Sequence, residues 1–206
     1  MKTTAAFIKD TPHIYLLPPT TAMIVFVWLI IWLITAFFIA SVGEIGPRED
    51  LPMLTQVKWS ENTRYAILYS LFGYLWLNAF IISSMMFTIA ATCGQWYFSC
   101  TSDSDGSSSI IKSIMWIIRY HMGSIAFGSF LIALVQFIRI IFEYYKKQIE
   151  KANKENPAIK CILCCTSYLL DCLERFIKFI TKNAYIQVSI IFIYLLLTFI
   201  SNFRSL

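Results

Sequence analysis

The chain has 206 residues, of which 58% are hydrophobic, 17% aromatic and only 14% charged. A water-facing domain carries about 25% charge, so a soluble globular protein is excluded, and the apolar residues fall in long runs as a membrane protein requires. The net charge of +5 is not spread evenly: eight of seventeen Lys/Arg lie between Lys146 and Lys182, which suits an anionic membrane face rather than nucleic acid.

Met1 to Thr21 is a polar lead-in, and its Pro18-Pro19 pair marks an extended segment or the first turn of a helix. No Lys, Arg, Asp or Glu occurs from Thr11 to Gly43. Residues 22–42 are long enough to cross a bilayer core of ~30 Å at ~1.5 Å per residue. This core is too long for a signal-peptide h-region and reads as a span. Trp28 and Trp32 lie four apart on one face, as lipid-facing or packing aromatics. Residues 43–64 form a loop with four acids, three bases and two prolines, too charged for the membrane interior.

Tyr65 to Ser102 carries no charge, and residues 66–92 read as a second span. Tyr74, Trp76 and Asn78 fall near its middle. Asn78 is expected to bond to a neighbouring helix or backbone, while Tyr74 and Trp76 either pack against neighbouring helices or offer ring faces to a cation. Residues 99–109, SCTSDSDGSSS, form a polar loop. The next stretch, IIKSIMWIIRYH, has Lys112 and Arg119 on one helical face and apolar residues on the other, so it reads as a short interfacial helix.

The third span is 122–142. Ser124 and Gly128 form a small-xxx-small notch that would let another helix approach, here the second span. Gln136 and Arg139 share a face, and an ionisable group at that depth is a functional candidate or a helix-end anchor. His121 and Arg139 are thus the polar or gating candidates. Residues 143–182 form a basic, cysteine-rich linker whose second half is an amphipathic helix at the membrane surface, with Asp171/Arg175 and Glu174/Lys178 as four-apart pairs. A fourth span occupies 183–203. The chain is therefore expected to be all-α: one polytopic membrane domain over 1–206, with about four transmembrane helices plus interfacial amphipathic helices.

Enzyme chemistry has no support. There are two histidines, and no HExxH, GxSxG, phosphate-loop or dinucleotide motif. His121 as an acyltransferase base lacks a carboxylate at a suggestive spacing. Cys161, Cys164, Cys165 and Cys172 have no nearby histidine and no second CxxC, so no metal or other cofactor is expected. Cys161, Cys164 and Cys165 are candidates for lipidation instead.

Three blocks carry a resemblance to a known family: YSLFGYLWLNAFIISSMMFTIAATCGQWYF, RYHMGSIAFGSFLIALVQFIRIIFEYYKKQIEK and CILCCTSYLLDCLERFIKFITKNAYI. In RYH-x-GS-x-A-x-GS followed by VQ-x-x-R, the chain resembles the choline transporter-like family of polytopic membrane proteins. The resemblance covers residues 14 to 188 and corresponds to the later half of a family member. It implies transport of choline or a related organic cation, by alternating access around a mid-membrane site in a plasma or organelle membrane. Tyr74, Trp76 and Trp32 are the expected substrate-binding residues. Family members are larger, with more spans, and their loop corresponding to 43–64 bears cysteines that this one lacks. The expectation is a truncated or divergent member, completed by C-terminal spans or by an oligomer and contacting membrane lipids. The alternative is a non-transporting membrane scaffold or accessory subunit. The Lys/Arg excess places 143–182 in the cytosol; strict alternation then puts the first loop there too, whereas the resemblance puts that loop outside.

Overall fold

The structure, a computed structural model, describes residues 2–47, 55–58, 60–100, 109–152 and 157–204. The chain opens with α1 (Lys2–Asp10) and a 3-10 turn (Pro12–Leu16), then α2 (Leu17–Ser41). Pro18 and Pro19 fall in the first turn of α2, where a missing N–H costs nothing. Two short strands, β1 (Glu44–Pro47) and β2 (Thr55–Lys58), pair antiparallel in the first loop with Glu44 opposite Lys58. The rest is helical: α3 (Glu61–Cys100), α4 (Ile110–Trp116), a π-turn (Ile117–His121), α5 (Met122–Ala152) and α6 (Pro157–Arg204). The parts of the expected loops and linker at 48–54, 59, 101–108 and 153–156 lie outside the described residues.

Four helical segments are long and apolar enough to cross a membrane: Pro12–Ser41, Glu61–Phe98, Ile110–Glu150 and Ile159–Leu196. The all-α architecture with four spans is thus what the chain adopts, with the β pair as a small addition. At ~1.5 Å rise per residue, a helix of the length of α6 is roughly twice the ~30 Å bilayer core, so α6 extends well beyond the core.

The boundaries differ from the sequence reading in two places, for one reason. The segment 110–121 runs through the π-turn into α5, and the amphipathic stretch before residue 183 runs into the last crossing as one helix, α6. The junction at 183 has no Gly or Pro to interrupt the helix, and at the first junction Gly123 lies in the first turn of α5 without breaking it. On α6 the polar stripe turns inward: Glu174, Thr181, Tyr185 and Ser189 are buried, while Leu169, Phe176 and Phe179 are exposed. Glu174 and the hydroxyls face the neighbouring helices and large apolar side chains face the surroundings, an arrangement that suits lipid as solvent, while Arg175, Lys178 and Lys182 stay exposed.

The bundle centres on α3, which packs against α2, α5 and α6; α5 and α6 also pack on each other. Its core is Phe87, Ala91, Ile117, Ile125, Tyr185 and Ile193, flanked by Phe80, Phe98 and Trp116. A second cluster, Phe7, Ile14 and Trp96, folds the N-terminal segment over the far end of α3, where Trp96 Nε1 donates to Asp10 Oδ2 at 3.0 Å. Helix α2 has no fully buried residue and, among the described residues, packs chiefly on α3.

Ser113 shows why α4 is not a free surface helix. It is fully buried, 3.0 Å from Thr92 Oγ1, and accepts from Gln95 Nε2 at 2.7 Å. These bonds fasten α4 to α3. Ser113→Ala should destabilise the protein by about 1 kcal/mol by leaving the Gln95 and Thr92 groups short of a partner. A thermal melt in detergent measures this; an unchanged melting temperature would show that α4 is not held there.

Candidate functional site

Two clefts border α3 on opposite sides. The first lies between α2 and α3, has a volume of about 230 Å³, and is lined by Trp28, Trp32, Ser70, Tyr74 and Trp76, among others. All three expected substrate-binding residues therefore line one cleft. Trp32 and Tyr74 stack with ring centroids 4.7 Å apart at 32°. Trp32 Nε1 donates to both the Ser70 carbonyl and the Ser70 hydroxyl at 3.1 Å, which fixes the indole and tethers α2 to α3. Trp76 reaches the other way: its Nε1 donates to the Ala126 carbonyl of α5 at 3.2 Å, and its ring meets Phe130 edge-on at 5.8 Å.

Trp28 also lines this cleft, a role not assigned to it from sequence. Its Nε1 is buried without a hydrogen-bond partner. The sequence signal was the four-residue spacing from Trp32, which puts both indoles on one face of α2. The cleft thus offers aromatic faces, with the unpartnered Trp28 Nε1 buried in its wall and no carboxylate in its lining. A metal ion would find no ligands here, and among the described residues no group of His, Cys, Asp or Glu could hold one.

The second cleft lies between α3, α5 and α6, at about 320 Å³, with Asn78, Gln136, Lys178 and Lys182 in its walls. Beside it sits a charge cluster. Arg139 Nη1 donates to Glu174 Oε2 at 2.6 Å and Arg139 Nη2 meets Asp171 Oδ1 at 3.0 Å. Glu174 Oε1 accepts from Lys178 Nζ at 2.6 Å and Gln136 Nε2 at 3.2 Å. The shared face of Gln136 and Arg139 thus meets α6, and Asp171 engages Arg139 across the interface. The role of Glu174 as hub was not legible, because its partners come from two helices.

His121 lies at the end of the π-turn, its ring 5.0 Å from Phe87 and 4.7 Å from Phe192, with Nε2 buried and unpartnered. A π-turn widens the helix by one residue and often accompanies function. The notch at Ser124 and Gly128 is half corrected. Ser124 is exposed, and Gly128 is buried against α6 rather than α3. A Cβ on Gly128 would fall inside van der Waals contact of Tyr185 Oη and 2.9 Å from Thr181 Cγ2. The helix phase is the cause: Gly128 shares its stripe with Ile125 and Ser129, which are also fully buried, while Ser124 lies off it. Cys161, Cys164 and Cys165 are all exposed thiols on the first turns of α6.

Comparison with known proteins identifies the family. The sequence profile of the plasma-membrane choline transporter family matches residues 1–191. The chain is 33% identical over 179 residues to choline transporter-like protein 2 of Dictyostelium discoideum, covering 87% of this chain and 28% of that protein. It is 31% identical over 171 residues to choline transporter-like protein 1 of Torpedo marmorata (83% and 26%), and 36% identical over 124 residues to choline transporter-like protein 4 of Danio rerio (60% and 17%). The chain thus spans less than a third of the length of each of these relatives. With its four apolar helices, it is an integral membrane protein of a plasma or organelle membrane.

Proposed function

Starting from the chain's membership of the plasma-membrane choline transporter family, a family of transporters, we propose that it takes part in moving choline or a related quaternary ammonium ion across a membrane. The observation that carries this reading is the aromatic cleft between α2 and α3. A quaternary ammonium has no N–H to donate, so it is recognised by ring faces, and Trp32, Tyr74 and Trp76 supply them. Choline also bears a hydroxyl, whose oxygen can accept from the idle Trp28 Nε1. Because α3 is the main helix that α2 packs on among the described residues, α2 is the helix that can rock to open the cleft without breaching the core.

Uptake of labelled choline by cells expressing the chain tests the reading. Saturable uptake is expected, with Trp32→Ala raising the half-saturation concentration about 2- to 30-fold, the range for one cation–π contact. Uptake unchanged by Trp32→Ala would remove the cleft from the mechanism. A second reading is a non-transporting scaffold or accessory subunit. It draws support from the exposed flank of α2, on which no residue is fully buried. Absence of both choline uptake and choline binding by the chain favours that second reading.

A further inference from the structure

We propose that the cleft between α3, α5 and α6 is a binding site for one anionic phospholipid, with phosphatidylserine as the headgroup whose chemistry it matches. Two groups in its walls lack a partner. Asn78 Oδ1 is buried and accepts no hydrogen bond. Lys182 has no ion pair among the described residues, whereas its neighbour Lys178 is already engaged by Glu174. The site therefore wants an anion at one wall and an N–H donor at the other. Phosphatidylserine carries both: its phosphate meets Lys182, and its ammonium donates to Asn78 Oδ1.

The remainder of the lining suits the lipid's other end. Ile82 and Met86 are exposed along α3, and Ile132 closes the α5 side. These form an apolar track away from the lysines, where acyl chains can lie. An uncompensated lysine in a helix of membrane-spanning length is costly unless an anion meets it or it reaches the interface. The Lys/Arg-rich ends of α5 and α6, at Lys146, Lys147, Lys151 and Lys160, emerge on the side where α6 begins, and such an excess marks the cytosolic, anionic leaflet. Phosphatidylcholine offers Lys182 the same phosphate, but its quaternary nitrogen has no N–H for Asn78 Oδ1, and it lacks the serine carboxylate that gives phosphatidylserine its net negative charge.

The test is a titration of the purified chain in uncharged detergent with fluorescent phosphatidylserine. Phosphatidylserine is expected to bind saturably and phosphatidylcholine to bind about fivefold more weakly, as loss of the one hydrogen bond to the buried Asn78 acceptor implies. Lys182→Gln should weaken phosphatidylserine by about fivefold, while Lys160→Gln, on the exposed start of the same helix, leaves it unchanged. Asn78→Leu removes an unpaired buried acceptor, so the unliganded variant should melt no lower than the parent. It should also lose the preference for phosphatidylserine over phosphatidic acid. The proposal is overturned if phosphatidylcholine binds equally, if Lys160→Gln costs as much as Lys182→Gln, or if glycerophosphoserine without acyl chains binds as tightly as the lipid.

Discussion

Gly128→Ala is expected to lower the stability of the detergent-purified protein by about 1–3 kcal/mol, the usual cost of overpacking a tight contact. The new methyl group meets Tyr185 Oη and Thr181 Cγ2, both on α6, with no open space to enter. Tyr185 cannot yield freely, because it is buried and its hydroxyl donates to the Ile125 carbonyl at 3.2 Å. The colliding atom is the phenol oxygen, which gives the prediction a second part. In a Tyr185→Phe background, Gly128→Ala should cost clearly less than in the parent, so the double-mutant cycle has a large coupling term. Equal costs in both backgrounds would mean that α5 and α6 do not meet at this point.

Glu174→Ala should be the most damaging single change in the charge cluster. Glu174 has a side chain only 10% exposed and holds Arg139 and Lys178 together, each at 2.6 Å. Removing one partner of a buried pair costs about 3–5 kcal/mol because the other charge is left uncompensated. The lower end applies here, since the Arg139 and Lys178 side chains are 42% and 49% exposed and Arg139 also meets Asp171. Arg139→Gln in the Glu174→Ala background should recover part of the loss, as it removes the stranded charge. Thermal melts of the two single variants and the double variant measure this. Additive losses would show that the two residues act independently and that the bridge between α5 and α6 is not a stability element.

Much of this was readable from the chain. The four crossings follow from uncharged apolar runs, and hydropathy decides that without tertiary information. The cleft was half visible: Trp32, Tyr74 and Trp76 could be named because aromatic rings near mid-span have few other polar or ionic options, but Trp28 was not, since an orphaned indole N–H depends on what fails to come near it. The Arg139 partnership was open to sequence only as a need for some carboxylate. Sequence spacing pairs residues on one helix, and it therefore suggested Asp171 with Arg175, whereas the fold brings Asp171 to Arg139 on a different helix. The notch at Ser124 failed for a related reason. A four-residue spacing says which small residues share a face, but not which face meets a neighbour, and the buried stripe of α5 runs through Ile125, Gly128 and Ser129. The continuity of α6 is hidden by composition: the charge from Asp171 to Lys182 reads as a separate surface helix, although Glu174 turns inward and the helix runs on unbroken.

Orientation also becomes simpler with one continuous α6. The ends of α5 and α6 around 143–160 share a side with the β pair between α2 and α3, because four antiparallel crossings alternate. The N-terminal segment packs on the opposite side, where Phe7 meets Trp96 at 5.5 Å near the end of α3.

The central claim is that the α2–α3 cleft recognises a quaternary ammonium by its charge against ring faces and its hydroxyl against Trp28. Tryptophan fluorescence of the purified chain, titrated with choline, with tetramethylammonium and with the uncharged carbon isostere of choline, tests it most directly. The account predicts saturable binding of choline, weaker binding of the neutral isostere by about 2- to 30-fold, and a Trp28→Phe variant that loses affinity for choline while keeping it for tetramethylammonium. Equal binding of the charged and neutral ligands, or none that Trp32→Ala reduces, would contradict it.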